Sequence, residues 1–123
     1  PFKTVASCDV APAVWGMMAH ILYEAIDPDL PSSISPTVVN DIVRGEIGFD
    51  GVLMGDDLDM EALNGYGSIA ERAVKTIDAG CDLALHCSGK LKDMQKIAET
   101  VPKLSEKTLE RLQKAADLST LAA

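Results

Sequence analysis

Three acids within four positions, Asp56, Asp57 and Asp59, follow directly on the apolar run Gly51-Val52-Leu53-Met54-Gly55. A short apolar run bounded by glycines reads as a strand buried on both faces. Carboxylates gathered at the C-terminal end of a buried parallel strand are where α/β proteins keep their chemistry. Three chemistries use carboxylates in that position. Asp57-Leu58-Asp59 imitates the Asp-x-Asp of a Mg²⁺-dependent phosphotransferase, but Met60-Glu61 stands where that reaction needs a small, flexible turn to admit phosphate. A calcium loop needs oxygens at alternating positions, a glycine at the sixth and a glutamate at the twelfth. Counted from Asp57 or Asp59, the chain lacks that frame. In glycoside transfer one carboxylate attacks the anomeric carbon and forms a covalent glycosyl-enzyme, while a second group protonates the leaving oxygen.

The elements that must position these acids can be read on either side of them. Residues 1–8 suggest a short helix that Pro12 stops. The apolar run Val14 to Leu22 reads as a strand in its middle, and Asp27 to Ser33, with two prolines, as a loop. Ser35 is a natural N-cap with Pro36 at the first helical position; Val38, Val39, Ile42, Val43 and Ile47 then recur at helical spacing up to Gly48. After the strand Gly51 to Gly55, the chain from Asp56 to Gly67 is expected to loop, with at most one helical turn around Met60 to Leu63. Ser68-Ile69-Ala70-Glu71 matches a capping box, opening a helix from Ile69 to Ala79. A strand is expected over Leu83 to Cys87, a helix over Leu91 to Thr100, and a last helix from a Ser105 cap through Leu118, with Leu104, Leu109, Leu112 and Ala116 as its apolar stripe. Strands alternating with helices imply parallel pairing through right-handed crossovers. The fold class is α/β, and composition does not separate a doubly wound sheet from part of a barrel.

Composition narrows the function classes. A net charge of −8 over 123 residues, with a pI near 4.6, leaves no clustered Lys and Arg for nucleic acid. No apolar run approaches the roughly 18 residues of a membrane span, and no charged leader with an apolar core opens the chain. The expectation is a cytoplasmic protein with no membrane partner, its three cysteines, Cys8, Cys81 and Cys87, reduced. His20 and His86 fall at strand exits and read first as wall residues with satisfied hydrogen bonds. Neither has a second histidine or a cysteine at metal-ligand spacing, so no metal and no cofactor are expected. Met17, Met18, Met54 and Met60 read as core filler.

The longer stretch Gly48-Phe49-Asp50-Gly51-Val52-Leu53-Met54-Gly55-Asp56-Asp57-Leu58-Asp59-Met60-Glu61 resembles the signature of family 3 glycoside hydrolases. More narrowly it is similar to the bacterial β-N-acetylhexosaminidases of peptidoglycan recycling, whose pattern reads G-F-D-G-[VI]-x-x-S-D-D-L-x-M. The resemblance extends to Met18-Ala19-His20, Tyr23 and Asp27-Pro28 upstream, and to Tyr66, Ala70-Glu71-Arg72 and Ala79-Gly80-Cys81-Asp82 downstream. It implies a (β/α)₈ TIM barrel of which residues 1–123 supply the last three βα units, as the C-terminal portion of a longer catalytic domain whose remainder is their partner. It further implies Asp56 as nucleophile, N-acetylglucosaminyl muropeptides as substrate, and a histidine acid/base with its aspartate partner on earlier strands outside these residues. His20 and Met60 are the expected substrate-binding residues. Asp57, on the opposite side of an alternating strand, is expected to organise the loop, and Trp15, at the foot of a strand, to pack. Gly55 departs from the pattern, standing where the family commonly has serine. A non-catalytic module that only packs against a partner chain is the rival reading.

Overall fold

The computed structural model describes residues 1–121, with side chains described through Leu118. Three parallel strands make one sheet: β1 (Gly16–Met18), β2 (Leu53–Asp57) and β3 (Leu83–Leu85), with β2 in the middle. Five helices accompany them: α1 (Phe2–Ala6), α2 (Thr37–Glu46), α3 (Ile69–Asp78), α4 (Leu91–Thr100) and α5 (Glu106–Leu121). Single 3₁₀ segments cover Ala11–Ala13, Ser32–Ile34 and Glu61–Tyr66. The α/β class and the order of elements are those expected from the sequence.

The register decides which way the acids face. Met17 pairs with Met54 and Met18 with Gly55, and side chains alternate along a strand. Met18, Leu53 and Gly55 therefore share one face, while Met17, Met54 and Asp56 share the other. The first face is closed: Met18 and Leu53 are buried in one core with Val38 and Val39 of α2, Phe49, Ala79 and Cys81. Gly55 lies so close to α3 that a Cβ on it would sit 2.5 Å from Thr76 Cγ2. The second face is open, and Met17 is 54% exposed on it. Between β2 and β3 the register slips, since Met54 pairs with Leu83 and Asp57 with Leu85. The slip lets Leu58 N–H reach the Leu85 carbonyl at 2.9 Å just beyond the strand. Leu58, fully buried with Ile34, Leu63 and Ala73, then anchors the loop after β2 in a second core.

Several expected boundaries move for identifiable reasons. β2 runs two residues further than Gly55 and so includes Asp56 and Asp57. β1 stops at Met18, because the next backbone groups are taken by a loop: Ser32 Oγ donates to the Ala19 carbonyl (2.6 Å) and Ser32 N–H to that of Ile21 (2.8 Å). β3 is likewise shorter than expected, ending at Leu85. Of the four methionines expected as core filler, only Met18 is buried; Met17 and Met60 are exposed and Met54 half-buried, so filler describes one of them. Trp15 is half exposed at the foot of β1, on the sheet's uncovered edge.

The helix caps follow the sequence. Ser35 Oγ accepts from Val38 N–H (3.1 Å) and donates to Asp27 (2.6 Å). The helix it opens is nonetheless wound with π-type hydrogen bonds. Ile47 N–H reaches back to Ile42 (2.8 Å), which frees the Val43 carbonyl for Phe49 N–H (3.0 Å). The Ser68–Glu71 capping box is complete, and Gly80, at φ +109°, ends that segment in a conformation that favours glycine. The 3₁₀ segment after β2 is longer than the single turn expected.

The last helix presents a different face from the predicted stripe. Leu104 and Leu109 are exposed, whereas Thr108 and Ala115 are buried. A buried carboxylate overrides the leucines: Asp82 Oδ1 accepts from Thr108 Oγ1 and Arg111 (both 2.9 Å). Asp82 Oδ2 accepts from Arg44 (2.7 Å) and Leu53 N–H (2.9 Å), so one acid ties α2, β2 and α5 to the foot of β3. Cys8, Cys81 and Cys87 are free thiols, and burial pushes that of Cys81 up to about 12.

Candidate active site

Asp56 ends the exposed row of β2, half-buried on the face that the helices leave open. Its Oδ1 accepts from Asp57 N–H at 2.8 Å, a local bond that fixes the carboxylate rotamer. Asp57, one residue on, is committed to the protein. Its Oδ1 accepts from Asp59 N–H (3.2 Å) and Cys87 N–H (3.1 Å), which joins the loops after β2 and β3. That is the loop-organising geometry expected of the second acid.

His20 joins the third loop. Its Nε2 lies 2.9 Å from the Asp57 carbonyl oxygen and its Nδ1 2.6 Å from Ser33 Oγ. A carbonyl can only accept, so Nε2 carries a proton and donates it to Asp57, while Nδ1 pairs with the Ser33 hydroxyl. Both ring nitrogens are thus used inside the protein, and the ring pins the exits of β1 and β2 together. Met60, 44% exposed, lies just beyond the acids and opens the 3₁₀ segment.

Three further groups brace the site without having been assigned a role from the sequence. Arg72 closes the loop after β2, with NH1 on the Leu58 carbonyl (3.0 Å), Nε on that of Gly67 (2.9 Å) and NH2 on Asn64 (3.3 Å). Its place one helical turn past the Ser68 cap was the available signal. Ser33, read only as a loop residue, is the partner that holds His20 Nδ1. Tyr66 OH donates to the Asp29 carbonyl (3.1 Å), tying the loops after β1 and β2 across the same mouth. Asp57, Asp59 and His86 also meet there, each offering one atom that could hold a metal ion.

This arrangement can present one oriented carboxylate at a strand end, on an open face, within loops braced by backbone hydrogen bonds. Comparison with known proteins agrees with the sequence signature. The chain is 36% identical over 119 residues to the beta-hexosaminidase of Chromobacterium violaceum, covering 97% of this chain and 32% of that protein. It superposes on a family 3 beta-N-acetylglucosaminidase from Paenibacillus sp. str. FPU-7 with a TM-score of 0.66 and 32% identity, over 86% of this chain and 22% of that one. Against the beta-N-acetylhexosaminidase of Beutenbergia cavernae the TM-score is 0.63 at 29% identity, over 89% and 33% of the two chains. It therefore spans about a third or less of the length of each of these relatives. Residues 2–118 match the family described as glycosyl hydrolase family 3 N terminal domain, and the chain therefore belongs to glycoside hydrolase family 3.

Proposed function

We propose that this chain carries the nucleophile of a retaining β-N-acetylhexosaminidase that removes terminal β-linked N-acetylglucosamine from muropeptides during cytoplasmic peptidoglycan recycling. The observation that carries the reading is the position of Asp56: at the C-terminal end of the central strand, on the face away from the helices. Similarity to beta-hexosaminidases supports the substrate class. Asp56 attacks the anomeric carbon, the bond to the leaving oxygen breaks, and a glycosyl-aspartate ester forms with inversion. A proton reaches the leaving oxygen from an acid outside residues 1–123. Water, deprotonated by the same group, then displaces the aspartate with a second inversion, so configuration is retained. With Asp57 N–H held on Oδ1, Oδ2 is the attacking oxygen in this reading. His20 serves the site through the Asp57 backbone, and Met60 offers an apolar contact to the acetamido group.

The remainder of the barrel is the partner in this reading. A cavity of about 520 Å³ opens along β1 between α1 and α2, lined by Phe2, Trp15, Met17, Tyr23 and other apolar residues, where an upstream strand and helix would pack. No helix among the described residues is long and apolar enough to cross a membrane.

The test is trapping with a 5-fluoro N-acetylglucosaminyl fluoride on the complete polypeptide, followed by peptide mapping. A sugar adduct on Asp56, together with loss of turnover by several orders of magnitude in Asp56→Asn, is expected. An adduct elsewhere, or near-native kcat in that variant, overturns the assignment.

A further inference from the structure

The acids after β2 divide their tasks. Asp56 stands on the open face, whereas Asp57 and Asp59 meet His86 at the exit of β3, with one potential ligand atom from each lying within 4.8 Å of the other two. We infer that Asp57, Asp59 and His86 form a binding site for a divalent first-row metal ion of the zinc class. An acidic cluster would not establish this by itself. The histidine does: its side chain is only 7% exposed, and its Nδ1 lies 3.3 Å from Asp59 Oδ2. Those two atoms are too poorly aligned for a hydrogen bond, and both are buried without any hydrogen-bond partner. Buried polar atoms are ordinarily satisfied. One cation among the three side chains satisfies both at once, as a plain ion pair in this geometry does not.

The surroundings are those of a ligand set. Metal-binding histidines hold their second nitrogen in a hydrogen bond that orients the ring; here His86 Nε2 lies 3.1 Å from Ser88 Oγ, leaving Nδ1 turned inward. The Asp57 carboxylate is oriented by two backbone N–H groups on Oδ1, from Asp59 and Cys87. Two carboxylates with one imidazole are a borderline donor set that suits Zn²⁺ better than Ca²⁺ or Mg²⁺, which take oxygen ligands in larger number. Three protein ligands leave a position open for water. Modest side-chain adjustment brings ligand atoms so spaced to the about 2.0–2.2 Å bonds of zinc to nitrogen and oxygen. Spacing along the chain conceals such a site, because His86 reaches the two acids only through the parallel pairing of β2 and β3.

The probe is Zn²⁺ alone, titrated into the metal-stripped complete polypeptide in competition with a chromophoric chelator. One ion per chain is expected, with affinity reduced on the order of 100-fold in His86→Ala and in Asp59→Asn and kept in Asp56→Asn. Co²⁺ substitution gives a second readout, a visible absorption band that His86→Ala removes. Asp59→Asn preserves side-chain shape, so it answers even where His86→Ala fails to fold. Absence of binding at about millimolar Zn²⁺, or equal affinity in wild type and Asp59→Asn, overturns the site. The titration reads no sugar chemistry, so its failure is separable from failure of the nucleophile assignment.

Discussion

His20 Nε2 donates to the Asp57 carbonyl across 2.9 Å, so the histidine that leaves β1 fixes the backbone one residue beyond Asp56. Because Nδ1 is also occupied, by Ser33 at 2.6 Å, the ring is a brace between two loops. His20→Leu leaves a carbonyl and a hydroxyl without partners, which costs about 1–3 kcal/mol. The expected result is a lowered urea midpoint together with a reduced kcat and a KM that changes little. Unchanged stability with a raised KM would instead make His20 a direct sugar contact.

Gly55 and Thr76 form a second pair in which one residue sets the other. The Cβ direction at position 55 points into α3, 2.5 Å from Thr76 Cγ2, and away from the face that carries Asp56. The family's serine at this position would therefore meet the helix before it met a sugar. Gly55→Ser is expected to destabilise the protein by about 1–3 kcal/mol through overpacking, and Thr76→Ala in the same molecule to return much of that loss. A double-mutant cycle by denaturant unfolding measures the coupling, and additive effects would refute the contact.

Much of this architecture was legible in the sequence because the signals were local. The Ser35 and Ser68 caps, the Gly80 stop, the apolar run into Asp56 and the bounds of α4 each depend on a few neighbouring residues. What was missed depends on residues distant in sequence. The register slip between β2 and β3 carries the second strand on through Asp57. The face of α5 is chosen by Asp82, 26 residues before Thr108, and not by the spacing of its own leucines. His86 meets Asp57 and Asp59 through sheet pairing, which no ligand-spacing rule along the chain could anticipate. Asp56 itself was legible as an acid at a strand end; the open face it occupies needed the register.

The acid limb of stability gives the last prediction. Burial alone would raise the Asp50 carboxyl, but hydrogen bonds and charge from Arg111 (2.7 Å) and Lys107 (3.3 Å) outweigh it and hold the group below its ordinary 3.8. Asp27, held by the Ser35 hydroxyl, and Glu71, held by the Ser68 backbone, shift the same way. A carboxyl whose folded pKa is depressed binds fewer protons folded than unfolded. Its contribution is complete above the unfolded value and is lost as pH falls through the folded one. Asp50 is 56% exposed, so solvent screening keeps its share below about 1 kcal/mol. Asp50→Asn should therefore lower the urea midpoint slightly near pH 7, and the gap between variant and wild type should narrow as pH falls below the ordinary carboxyl value of 3.8. A gap that persists undiminished in acid would mean that packing of the Arg111 side chain, and not the charge on Asp50, holds α5 against the foot of the sheet.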